Sequence, residues 1–182
     1  MTVALLNKRV SRGVTILEVV VVIVIIAILA SLLFPAFIQH RARAEEVKCL
    51  ANLRSLYVAA TGYLQAGSSW PQIPAQLVTT DPETFARNWV EALAPYGAPH
   101  VVWICPSIQT GLGISMDALE SPDVEYRIDY MPISFDDNPA SPWRWQKYPW
   151  FVEKGSPHSR GNLMIYGDGT ELSLRDLALG AQ

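Results

Sequence analysis

The ionisable residue with the least ordinary setting is Glu18, which directly precedes 20 uncharged residues, 19–38. A carboxylate at membrane depth is costly unless a partner satisfies it, and this marks Glu18 as functional; the plain alternative is a position at the headgroups. Farther along the chain, His158 and Asp168 could serve as base and orienting carboxylate for a nucleophile, Ser156 or Cys105. No G-x-S-x-G elbow or other nucleophile signature surrounds either one, so no enzymatic activity is expected. His158 reads instead as structural, hydrogen-bonding the backbone or Asp168 and fixing a loop on the last hairpin. Asp136, Asp137 and Asn138 offer oxygen ligands for calcium, and equally describe a solvated turn. Trp143, Arg144, Trp145, Lys147, Tyr148 and Trp150 interleave aromatic and basic groups as polymer-binding platforms do. Exposed, they form a binding patch; folded back, they form a satellite core. His40, His100 and His158 are scattered, and no cysteine–histidine spacing suggests zinc.

The element that must position Glu18 is a membrane helix. Twenty residues at a rise of ~1.5 Å span about 30 Å, the thickness of a bilayer's hydrocarbon core. Lys8, Arg9 and Arg12 flank it upstream without an acid, whereas Arg41 and Arg43 mix with Glu45 and Glu46 downstream. The positive-inside bias therefore places the N-terminus in the cytoplasm and the rest of the chain outside. There an oxidising compartment favours a disulfide between Cys49 and Cys105; the alternative is two buried thiols. A secretory signal ending at Ala42-Arg43-Ala44 fits poorly, because the apolar region is too long and Glu18 interrupts its start. A simple uncleaved anchor is the other alternative. The 182 residues suffice for one long helix and one modest globular head, and a formal charge of −3 argues against general nucleic-acid binding.

Helical periodicity continues past the membrane. Leu50, Leu53, Tyr57, Ala60 and Leu64 recur at spacings of three and four, so one amphipathic face packs on the head, and the helix ends between Gly62 and Gly67. Residues 70–80 read as a proline-bearing loop. Asp81 and Pro82 start a short helix with Phe85, Trp89 and Leu93 on one face. Residues 101–105 read as a buried strand stopped by Pro106, and residues 124–130 as a half-buried strand with Glu125, Arg127 and Asp129 facing outward. The proline-rich stretch 132–157 reads as a long surface loop. Residues 163–166 and 171–174 flank Gly167, Asp168 and Gly169 as a hairpin whose glycines can take positive φ.

Gly13-Val14-Thr15-Ile16-Leu17-Glu18, with basic residues before it and an apolar helix after it, resembles the cleavage and methylation motif of type IV prepilins and type II secretion pseudopilins. The resemblance implies that a prepilin peptidase cuts after Gly13 and methylates Val14, which stands where that family usually has phenylalanine. It implies that Glu18 meets the N-terminal amine of a neighbouring subunit. It also gives Pro35 the role of the family's helix-disrupting proline, with a kink or melted segment there. A second resemblance joins His158, Asp168 and Gly169 to the H-X9-DG segment found with such N-termini in some bacteria. Those relatives tend to share a cysteine with an N-L pair, here Cys49, Asn52 and Leu53, and a C-P-S, here Cys105, Pro106 and Ser107. Major pseudopilins hold a loop calcium, which keeps residues 136–138 in view.

Together these readings imply an α+β, pilin-like fold in which a long N-terminal helix packs against a small antiparallel sheet. Residues 1–13 form a leader, 14–38 the transmembrane and assembly helix, 39–66 its amphipathic continuation, and 67–182 a head with H-X9-DG at 158–169. The expected partners are prepilin peptidase, other pilin or pseudopilin subunits and the bacterial inner membrane, with no nucleic acid and no cofactor unless calcium. The expected function is a filament subunit. The alternative is a membrane-tethered extracellular protein that binds a polysaccharide or other polymer through the tryptophan-rich loop.

Overall fold

The computed structural model describes residues 15–67, 69–119, 121 and 124–180. The leader, Gly13 and Val14 lie outside them. The chain divides into two units, Met1–Arg41 and Ala42–Gln182.

In the first unit lies the opening part of α1, a helix spanning Ile16–Gln65. The Thr15 hydroxyl accepts the Glu18 amide at 3.2 Å and so caps its first turn. From Val19 to Ile38 the large apolar side chains are exposed, half or more of the surface of most of them. Helical backbone continues through position 35, so the melted segment expected at Pro35 does not form.

In the second unit, α1 buries the predicted stripe. Leu53, Leu56, Ala59, Ala60 and Leu64 are buried, with Cys49 one turn earlier, and Leu50 and Tyr57 flank them. Opposite them lies an antiparallel sheet which, among the described residues, has four strands in the order β1–β2–β3–β4: Tyr130–Pro132, Pro149–Glu153, Leu163–Tyr166 and Glu171–Ser173. Trp150, Phe151, Leu163 and Ile165 contribute the sheet's share of the core. The helices between are α2 (Leu77–Thr80), α3 (Pro82–Leu93), α4 (Pro106–Leu112) and α5 (Ser141–Arg144), and α6 (Leu174–Gly180) closes the fold. As its sequence predicts, α3 is capped by Asp81, which accepts the Thr84 amide, and buries Phe85, Trp89 and Leu93. Trp70 in the preceding loop is buried, with its ring centroid 5.3 Å from Trp150 and 5.7 Å from Trp89.

Several segments differ from the sequence reading. Residues 101–105 form no strand: His100–Trp103 is a 3-10 helix, and Ile104 and Cys105 turn into α4. Only Tyr130 of the expected strand 124–130 pairs, and Asp129 is buried, not outward-facing. The stretch 132–157 holds the central strand β2 and the short α5. Of the two hairpin glycines only Gly169 has a positive φ, +81°. Gly167 is required for a different reason, since a Cβ there would lie 2.8 Å from Trp150 Nε1 and 3.1 Å from the Pro142 carbonyl. The chain after residue 173 is helical because Ser173 and Asp176 cap each other, hydroxyl to amide at 3.2 Å and carboxylate to amide at 2.9 Å.

Gly167→Ala is expected to lower the stability of the detergent-solubilised chain by about 1–3 kcal/mol through this overpacking. Chemical denaturation reads it, and wild-type stability would show that the tryptophan can move aside at no cost.

Candidate functional site

The sequence motifs converge on a buried cluster in the second unit. Cys49 sits on the inner face of α1. One turn later the Asn52 side chain donates to the Ile104 carbonyl at 2.9 Å, which holds the following Cys105 beside the helix. The Cys105 amide donates to Asp129 Oδ2 at 2.9 Å, and Arg127 pairs with that carboxylate at 3.0 Å, which accounts for the burial of Asp129. Glu153 ends β2, and the loop after it turns back so that His158 Nε2 lies 3.1 Å from Glu153 Oε1 and 3.9 Å from Cys105 Sγ. The other carboxylate oxygen of Glu153 accepts the Leu163 amide at 3.3 Å. Glu153 and His158 are only 1% and 7% exposed.

Both cysteines are free thiols here, so the expected disulfide is not formed, although the two sulfurs are neighbours. The hydrogen bond between the thiols lowers the pKa of Cys49 and, together with burial, raises that of Cys105. Burial alone would depress His158; its bonds to Cys105 and Glu153 and the carboxylate's charge outweigh this and lift it to about 10. His158 is thus an imidazolium at neutral pH, and its bond to Glu153 holds the loop to the strand.

The carboxylate beside His158 is that of Glu153 and not of Asp168. Asp168 is exposed at the hairpin tip and accepts the Thr170 amide at 2.8 Å. Glu153 escaped the sequence reading, and its signal was a lone acid closing the apolar run Trp150-Phe151-Val152. Residues 136–138 form a turn in which Asp136 accepts the Asn138 amide and Asn138 the Ala140 amide. The tryptophan-rich stretch divides: Trp150 is in the main core, while Trp143, Trp145 and Tyr148 are 38%, 51% and 56% exposed. Trp145 and Tyr148 border an open cleft of about 280 Å³ with Phe135 and Asp136.

The other functional element is the start of α1, where Glu18 is exposed immediately ahead of the apolar stretch. Residues 8–34 match the family described as the prokaryotic N-terminal methylation motif. The chain carries a prepilin-type N-terminus. This motif implies processing by prepilin peptidase and assembly with pilin subunits, and the apolar α1 accords with anchoring in the inner membrane. Pilin and pseudopilin families of this type are structural, and the α+β head behind a long helix matches their architecture. No curated protein and no solved structure matches the chain.

His158→Ala would strand the Glu153 carboxylate in the core, and the expected loss is about 3–5 kcal/mol. Asp168→Ala removes one exposed turn bond and should cost about 1 kcal/mol. Denaturant titration of both variants gives the comparison, and equal small losses would mean that the buried couple does not hold the loop.

Proposed function

We propose that the chain is a pilin-like structural subunit, cut after Gly13 and methylated on Val14, that polymerises through α1 into a type II secretion pseudopilus or type IV pilus-like filament. The observation that carries this reading is the apolar length of α1, exposed from Val19 to Ile38 and headed by a carboxylate, behind a matching methylation motif. The exposed apolar side chains of this stretch need lipid before assembly and neighbouring helices after it. Cleavage after Gly13 would create an amine at Val14, four residues from Glu18. An ammonium and a carboxylate are each costly in a low-dielectric bundle, and pairing between subunits neutralises both. A chain that docks in register gains this pair; one that slips along its neighbour loses it. The subunit sits in the inner membrane with its N-terminus cytoplasmic and its head outside, and performs no catalysis.

One observation favours a second reading, a tethered polymer-binding protein: the open cleft bordered by Trp145 and Tyr148. Such a protein would need no carboxylate at position 18.

Glu18→Ala separates the two. The variant is expected to be processed and retained in the membrane in wild-type amounts but to be missing from sheared filaments, as read by immunoblotting of both fractions. Filaments in normal yield would contradict the pairing.

A further inference from the structure

The buried cluster has a property that filament assembly does not use. Cys49, Cys105, Glu153 and His158 each offer one ligand atom, and these four atoms all lie within 4.8 Å of one another. Two of the separations are 3.1 Å, imidazole nitrogen to carboxylate oxygen, and 3.9 Å, imidazole nitrogen to Cys105 sulfur. Four ligands at the usual zinc distances of about 2.0–2.3 Å outline a tetrahedron with edges of about 3.3–3.8 Å. The side chains already stand close to its corners.

We propose that Cys49, Cys105, Glu153 and His158 form a structural site for a divalent transition metal, and that zinc is the ion this donor set fits. Two thiolates and an imidazole select against calcium and magnesium, which take oxygen ligands. All four donors come from the protein and all four residues are buried, so no coordination position is left open to substrate. The groups around the donors are those that orient metal ligands. The Leu163 amide donates to the second oxygen of Glu153, and the Asn52 side chain holds the Ile104 carbonyl next to Cys105. Metal entry releases the protons of both thiols and the second proton of the His158 imidazolium, whose charge the metal replaces beside Glu153.

A disulfide would use the same two sulfurs but assign no purpose to the other two corners. Burying a carboxylate and an imidazole against the sulfurs is costly, and a simple cross-link does not need them. A metal uses all four, and joins the inner face of α1, the turn before α4, the end of β2 and the loop after β2. It would clip the head to its own helix at one point.

The test uses the full-length chain extracted in detergent: one portion is alkylated without reductant to map free thiols, and the rest is kept reduced and titrated with Zn2+ or Co2+ alone. The expected results are one zinc per chain by elemental analysis and, with Co2+, an intense near-ultraviolet sulfur-to-metal charge-transfer band. Glu153→Gln, which keeps the shape of the side chain, should weaken zinc binding about tenfold or more while retaining that band. Three results would overturn the proposal: a Cys49–Cys105 disulfide in freshly isolated protein, free thiols that take up no zinc, or a cobalt spectrum without sulfur charge transfer. The spectrum is read on the wild-type chain, so the test does not depend on a variant folding.

Discussion

One helix in this protein must satisfy two incompatible surroundings, and the rest of the structure follows from how it does so. The residues from Val19 to Ile38 expose their apolar side chains, whereas Leu53, Leu56, Ala59, Ala60 and Leu64 are buried in the head. At about 25 cal/mol per Å² of apolar surface left in water, the first group could not remain solvated, so lipid or other helices must cover it. The second group gives the sheet something to pack on. A four-stranded sheet of three- to five-residue strands buries too little by itself, and the α1 stripe completes the core between β2, β3 and α3. Covering one half of α1 is the task of other molecules; covering the other half folds the chain.

Within the head, position along α1 is set by polar groups more than by the apolar stripe. Leucine and alanine packing tolerates small sliding, but a side chain that donates to one particular carbonyl does not. Asn52 reaches the Ile104 carbonyl and Tyr57 the Gly167 carbonyl, so the turn before α4 and the last hairpin are pinned to the helix about a turn and a half apart. Next to the first of these pins lie the two thiols and the buried Glu153–His158 couple. Buried charge is a poor source of stability and a good source of uniqueness, since an alternative packing that separated the couple would leave a bare carboxylate in the core. A head built this way holds a single arrangement on its helix.

The sequence was informative where a pattern is local and uninformative where the partners are distant. The α1 stripe, the Asp81 cap, the face of α3 and the last hairpin all follow from spacings within a turn or two, and all are present. The strand β2 was hidden because Pro149 and the prolines before it suggest a loop. Its Trp150-Phe151-Val152 core is too short to show alternation, and pairing on both sides is what makes it a strand. The apolar run before Cys105 was misread for the converse reason: Pro106 and the neighbouring 3-10 turn leave it without a strand partner. The partner of His158 is Glu153, and its sulfur neighbour, Cys105, is 53 residues away, with no linear spacing to reveal the contact. Sequence spacing finds ligands that share a turn, and the four residues of the cluster come from three stretches of the chain, around 49, around 105 and over 153–158.

The account rests most heavily on cleavage at the start of the helix, because the amine offered to Glu18 exists only after the leader is removed. Its most direct test is intact-mass and N-terminal peptide spectrometry of the chain extracted from membranes of cells with an active prepilin peptidase. The predicted result is a chain that begins at N-methylated Val14. A chain still beginning at Met1 would contradict it.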